Sequence, residues 1–174
     1  VEPKAFPGGK TPPGGMGPGT DDEMSPNAPR PLRKVQSVLF MCAQNAVRSP
    51  MAEAMAKHFF GKAIYVQSAG ARKGEIDGFA LTVLDEIGID AHKHKPKSIE
   101  ELEEWEGLNF DLIVSLSPEA HHKALDLTRT VAADVEYWPT VDPTAVQGSR
   151  EHMLDAYREV RDGLMKRIKE RLKS

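Results

Sequence analysis

The chain has 174 residues, with 23 Lys and Arg against 26 Asp and Glu, a formal net charge of -3 and a single cysteine. That length suits one domain plus a tail, and the charge balance excludes the basic footprint of a nucleic-acid or anionic-membrane binder. One cysteine excludes an intramolecular disulfide, no apolar run approaches the roughly 20 residues of a bilayer span, and no basic-then-apolar leader is present, so a cytoplasmic protein is expected. The chain opens on Val1 rather than Met, which leaves room for an upstream segment.

Residues 1–34 are dominated by Pro and Gly, as in Pro12-Pro13-Gly14-Gly15. They carry too few large apolar side chains to offset the entropy of ordering, so a disordered tail is expected there, with the folded domain at 35–174. Val35 to Met41 is an apolar run ending at Cys42 and reads as a buried strand. Pro50 to Phe60 reads as a helix, with Ala52, Met55, Ala56 and Phe59 on one face and Pro50 at its first position. A short strand is expected over 63–68. A helix then carries Ala80, Val83, Leu84 and Ile87 inward and ends at Gly88. A short acidic helix over 98–105 and a third strand over 110–116 follow. A helix over 118–127, a fourth strand over 135–138 and a long helix over 149–172 complete the pattern, the last with Tyr157, Val160, Leu164 and Ile168 inward. Alternating strands and helices with short connections imply a parallel sheet covered on both faces, a three-layer α/β domain. Ligands of such sheets bind beyond the C-terminal strand ends, where Cys42 stands.

The segment Cys42-Ala43-Gln44-Asn45-Ala46-Val47-Arg48-Ser49-Pro50 carries the chemistry. A strand ends, a short loop turns and a helix starts. The loop N–H groups can point into one concavity to which the helix adds its positive N-terminal end, which makes an oxyanion cradle. Arg48 adds a planar fork matched to two oxygens of a tetrahedral anion. A cysteine at the base of such a nest is favoured as thiolate and is placed for in-line attack on a bound phosphate.

On these residues the stretch from Val35 to Leu172 resembles the low-molecular-weight protein tyrosine phosphatases and the arsenate reductases, including the thioredoxin-dependent ones, that share their fold. Ser68-Ala69-Gly70, Gly88-Ile89 followed by His92, and Asp142-Pro143 resemble further signatures of that family. The resemblance implies a four-stranded parallel sheet of flavodoxin-like topology; no cofactor is expected, and no metal, since the pair His92 and His94 lacks an evident third ligand. It implies Cys42 as nucleophile, Arg48 as oxyanion clamp, Ser49 as donor to the sulfur and Asp142 as general acid and base. The phosphate-binding loop would be Ala43, Gln44, Asn45, Ala46 and Val47. Asn45 would be the left-handed residue of that loop, with Ser68 and His92 hydrogen-bonded to it from behind.

The sequence departs from the family at three places. Gln44 stands where Gly is common, which is expected to narrow the loop mouth or shift its backbone. Val47 stands where many members carry a second, protective cysteine. Thr144 and Ala145 follow Asp142-Pro143 where members acting on phosphotyrosine place aromatic residues, and the nearest aromatics are Tyr137 and Trp138. The reading is a cysteine-dependent phosphatase acting on a phosphorylated protein or a small phosphate ester through a phosphocysteine intermediate. The alternatives are an arsenate reductase drawing on an external thiol such as glutathione or thioredoxin, and a phosphate-binding module with little turnover.

Overall fold

The apolar run ending at Cys42 forms β1 (Ser37–Cys42), the strand on which the molecule is organised. The structure is a computed structural model that describes residues 34–173, so the expectation for the Pro/Gly-rich tail lies outside the described residues, Lys34 excepted. After β1 come α1 (Arg48–Phe60), β2 (Tyr65–Gly70), α2 (Gly78–Asp85) and α3 (Ile99–Glu106). Then follow β3 (Leu112–Ser115), α4 (Pro118–Leu127), β4 (Asp134–Tyr137), a short 3-10 turn (Pro143–Ala145) and α5 (Arg150–Leu172). The four strands are parallel in the order β2-β1-β3-β4, so the connections leave β1 in opposite directions and a switch point lies at its C-terminal end.

Strand periodicity separates two cores. From β1, Val38, Phe40 and Cys42 face one layer, packed with α1, α2 and α5, while Leu39 and Met41 face the other, packed with α3 and α4. Met51, Ala52, Met55 and Ala56 of α1 are fully buried, each methionine contributing about 2 kcal/mol of apolar burial. Two expectations are corrected in this helix. It begins at Arg48, two residues before Pro50, because Arg48 and Ser49 are already helical. Phe59 is 38% exposed rather than inward, and the Lys169 ammonium lies 4.3 Å from its ring centroid, since the last turn runs past the end of the core.

The helix starts differ in a way that matters for the site. Asp77, Ser98, Ser117 and Ser149 cap α2, α3, α4 and α5 with side-chain oxygens. The residue before α1 is Val47, which offers no side-chain cap, so the first N–H groups of that helix remain for another acceptor.

Candidate active site

Cys42 is buried at the end of β1, its Sγ 2.9 Å from Ser49 Oγ in the first turn of α1. The loop between them is tied on its outer side. The carbonyls of Cys42, Ala43, Gln44 and Ala46 accept from the N–H groups of Ala71, Arg72, Gly74 and Asp77 at 2.8–3.1 Å. In a trans peptide the N–H points opposite to its carbonyl. Turning these carbonyls outward therefore turns the following N–H groups inward, toward the space over Cys42, beside the uncapped end of α1. That is a preorganised anion cradle. Gly70 makes the arrangement possible: a Cβ there would lie 2.2 Å from the Arg72 carbonyl oxygen and 2.7 Å from Asn45 N. Gln44 is exposed and packs outward on Gly74, where an added Cβ would meet its Oε1 at 2.8 Å. The expected narrowing of the mouth is thus replaced by a contact with the neighbouring loop, and Gln44 needs no left-handed backbone. Val47 is buried in the core and Ala46 packs against it.

Asn45 holds the loop in shape. Among the described residues it is the one non-glycine with positive φ, at 56°. Its side chain is fully buried. Nδ2 donates to Ser49 Oγ at 2.8 Å and to Ser68 Oγ at 2.9 Å, while Oδ1 accepts from His94 Nε2 and from Lys97 N, each at 3.0 Å. Both amide protons and both carbonyl lone pairs are used, which fixes the amide orientation and stabilises an otherwise unfavourable backbone. Ser49 Oγ thus accepts from Asn45, which leaves its own proton available for the Cys42 sulfur.

His92 does not take the expected place behind Asn45. It is exposed on the loop after α2, with Nδ1 2.9 Å from Asp90 and Nε2 3.7 Å from Asp85, and its bond to Asp90 raises its pKa. His94, two residues on, reaches Asn45 instead. Its side chain is 8% exposed, and burial holds its pKa below the usual value although Glu53 lies 3.6 Å from Nδ1. Glu53, on the buried face of α1, accepts from Ser68 Oγ and pairs with Lys57. Asp85, Asp90 and His92 are the only group of metal-type donors gathered among the described residues, and all three are exposed.

Arg48, half-buried at the start of α1, donates from Nη1 to the Thr140 carbonyl at 2.9 Å, leaving its other guanidinium N–H groups for an anion. Thr140 stands two residues before Asp142, so Arg48 is tied to the segment that carries the candidate acid. Asp142 is exposed, and its Oδ1 accepts from Thr144 N at 3.0 Å and Thr144 Oγ1 at 2.6 Å, while Oδ2 has no partner among the described residues. Trp138 is buried edge-on against Phe40, and Tyr137 stacks on His121 at 4.4 Å. The large apolar side chain next to Asp142 is Val141, 78% exposed. Sequence reasoning missed His94, Glu53, Lys97 and Thr140. Of these only His94 carried a signal, as the second histidine of Ala91-His92-Lys93-His94.

Similarity to known proteins matches this geometry. An arsenate reductase of Bacillus subtilis (strain 168) is 32% identical over 134 residues, covering 76% of this chain and 92% of that protein. The structure of the YwlE arginine phosphatase, a mutant with a phosphorylated active-site serine, is similar with a TM-score of 0.58 at 25% identity, over 76% of this chain and 91% of that one. The Erwinia amylovora tyrosine phosphatase amsI shares the fold with a TM-score of 0.62 at 20% identity, over 81% of this chain and 93% of that one. The family model for low molecular weight phosphotyrosine protein phosphatases matches residues 37–174, and the chain belongs to that family.

Proposed function

We propose that the chain is a phosphatase that hydrolyses phosphomonoesters through a phosphocysteine intermediate. The observation that carries this reading is the Cys42 sulfur, 2.9 Å from Ser49 Oγ, at the base of a loop whose carbonyls are tied outward. In the first step the Cys42 thiolate attacks phosphorus, the ester P–O bond breaks, and Asp142 gives a proton to the departing oxygen. Arg48 and the loop N–H groups hold the phosphoryl oxygens as charge develops. In the second step water attacks phosphorus, Asp142 takes its proton, and the P–S bond breaks to return a thiolate that receives the Ser49 hydrogen bond. A protein phosphotyrosine or a small aryl phosphate is the substrate class carried forward, with Val141 rather than an aromatic residue beside the acid. The phosphorylated active-site serine of the arginine phosphatase neighbour supports transfer to a side chain at this position.

A second reading, arsenate reduction, is favoured by the name of the Bacillus subtilis relative. Arsenate has the shape of phosphate and suits the same cradle. Cys42 is the chain's single cysteine, so a thiol from outside the chain would have to attack the cysteine–arsenic adduct.

The deciding experiment is hydrolysis of para-nitrophenyl phosphate at about pH 6, with arsenate reduction assayed beside it in the presence of glutathione or thioredoxin. Turnover of the ester by the wild type, lost by on the order of 10⁴-fold or more in Cys42→Ser, is the expected result. Arsenate reduction with the ester untouched would move the assignment to the reductase. Neither reaction in folded protein would leave phosphate binding alone.

A further inference from the structure

Between α1, α3 and the loop after α2 lies a cavity of about 460 Å³. Its lining includes Lys57, Lys93, Lys95, Lys97, Leu102 and Trp105. The volume falls within the range of small-molecule sites. Lys97 is 8% exposed, and its ammonium has no hydrogen-bond or ion-pair partner among the described residues. Burial lowers its pKa, with Glu53 acting in the opposite sense. The carboxylates lining the same cavity are engaged elsewhere: Glu53 by Ser68 and Lys57, Glu106 by Tyr65 and Gln67, and Asp90 by His92. Lys93 and Lys95 are exposed, and Lys93 helps lower the pKa of Asp90. The cavity therefore holds a buried ammonium without a direct ion-pair partner among the described residues, with the exposed Lys93 and Lys95 at its rim. Trp105, in the last turn of α3, is 64% exposed and lines the same cavity with its aromatic ring.

We propose that this cavity is a binding site for a small aromatic carboxylate, whose anion pairs with Lys97 and whose ring rests on Trp105. A monoanion fits better than a phosphate dianion, because Glu53 and Glu106 flank the lysine and would repel a second negative charge. The site is joined to the loop through one residue. The Lys97 backbone N–H donates to Asn45 Oδ1, and His94, which also lines the cavity, donates to the same oxygen. A ligand that orders Lys97 thereby acts on the residue that shapes the phosphate cradle.

The test is titration of isotope-labelled full-length protein with naphthalene-2-carboxylate, followed by NMR. It reads binding, not turnover, so its outcome is independent of the phosphatase assignment. The Trp105 indole N–H resonance is expected to shift saturably with a Kd below about 1 mM, the Trp138 indole, buried in the opposite core, to stay in place, and the Asn45 side-chain amide to move with Trp105. Lys97→Met should weaken binding by about tenfold or more, and Lys97→Arg should retain it. The exposed Trp105→Ala variant, followed by the Asn45 amide, should also weaken binding and stands in if Lys97→Met does not fold. Absence of a saturable shift up to about 10 mM, or unchanged affinity in folded Lys97→Met or in Trp105→Ala, overturns the proposal.

Discussion

The two sides of the cradle are built on opposite plans. Behind it, Asn45 is fully buried with four hydrogen bonds, and the loop carbonyls are tied to 71–77. In front of it, the Asp142 segment is exposed, held by the Arg48–Thr140 bond and by a short turn that occupies one carboxylate oxygen. The difference suits the roles proposed for the two sides. An oxyanion site gains most from dipoles that need no rearrangement as charge develops, so its frame is over-determined. A group that gives and takes a proton has to meet the leaving oxygen and then water, so it keeps one oxygen free and stays accessible.

The largest effect is expected from breaking the rigid side. Asn45→Ala leaves Ser49, Ser68, His94 and the Lys97 N–H without their shared partner and places alanine at positive φ. A loss of about 3 kcal/mol in urea unfolding is expected, with turnover falling in the same variant. A stable Asn45→Ala protein with wild-type turnover would show that the loop keeps its shape without this residue. The mobile-proton side should respond selectively. Asp142→Asn should slow hydrolysis of an alkyl phosphate by about 10²-fold and of para-nitrophenyl phosphate much less, with alkylation of Cys42 by iodoacetate unchanged. Equal slowing for good and poor leaving groups would remove Asp142 from the acid role.

The smallest effect is a pH signature of the rigid side. Burial lowers the pKa of His94, with Glu53 raising it and Lys97 and Lys57 lowering it further, while the unfolded chain titrates at about 6.5. Between those two values the unfolded state binds more protons than the folded one. Stability is therefore kept above about pH 6.5 and is lost as pH falls through the folded value. His94→Gln, which keeps a donor for Asn45 Oδ1, should flatten this dependence. Parallel curves of Tm against pH for the two proteins would show that His94 does not contribute it.

Much of the frame was legible because it rests on local patterns. β1 ends at Cys42 as its apolar run does, and α4 has the expected bounds because Ser117 and Pro118 mark its start. The start of α1 was misplaced because Arg48 and Ser49 carry no capping signal, and that missing cap is what leaves its N–H groups to an anion. The sequence points to His92 where the structure has His94, because the two differ only in which way the chain turns after α2, and nothing local in Ala91-His92-Lys93-His94 decides that. Lys97 carries no signal in the sequence because its burial depends on α1 and α3 closing over it.

The sequence by itself determined the order of strands and helices and the place of Cys42 at a strand end, since hydrophobic period and turn chemistry act between near neighbours. The tertiary structure alone decided which histidine, which hydroxyls and which backbone N–H meet Asn45. Those partners lie between 4 and 52 residues away in sequence, and only the packing of α1, β2 and the loop after α2 brings their atoms within bonding distance.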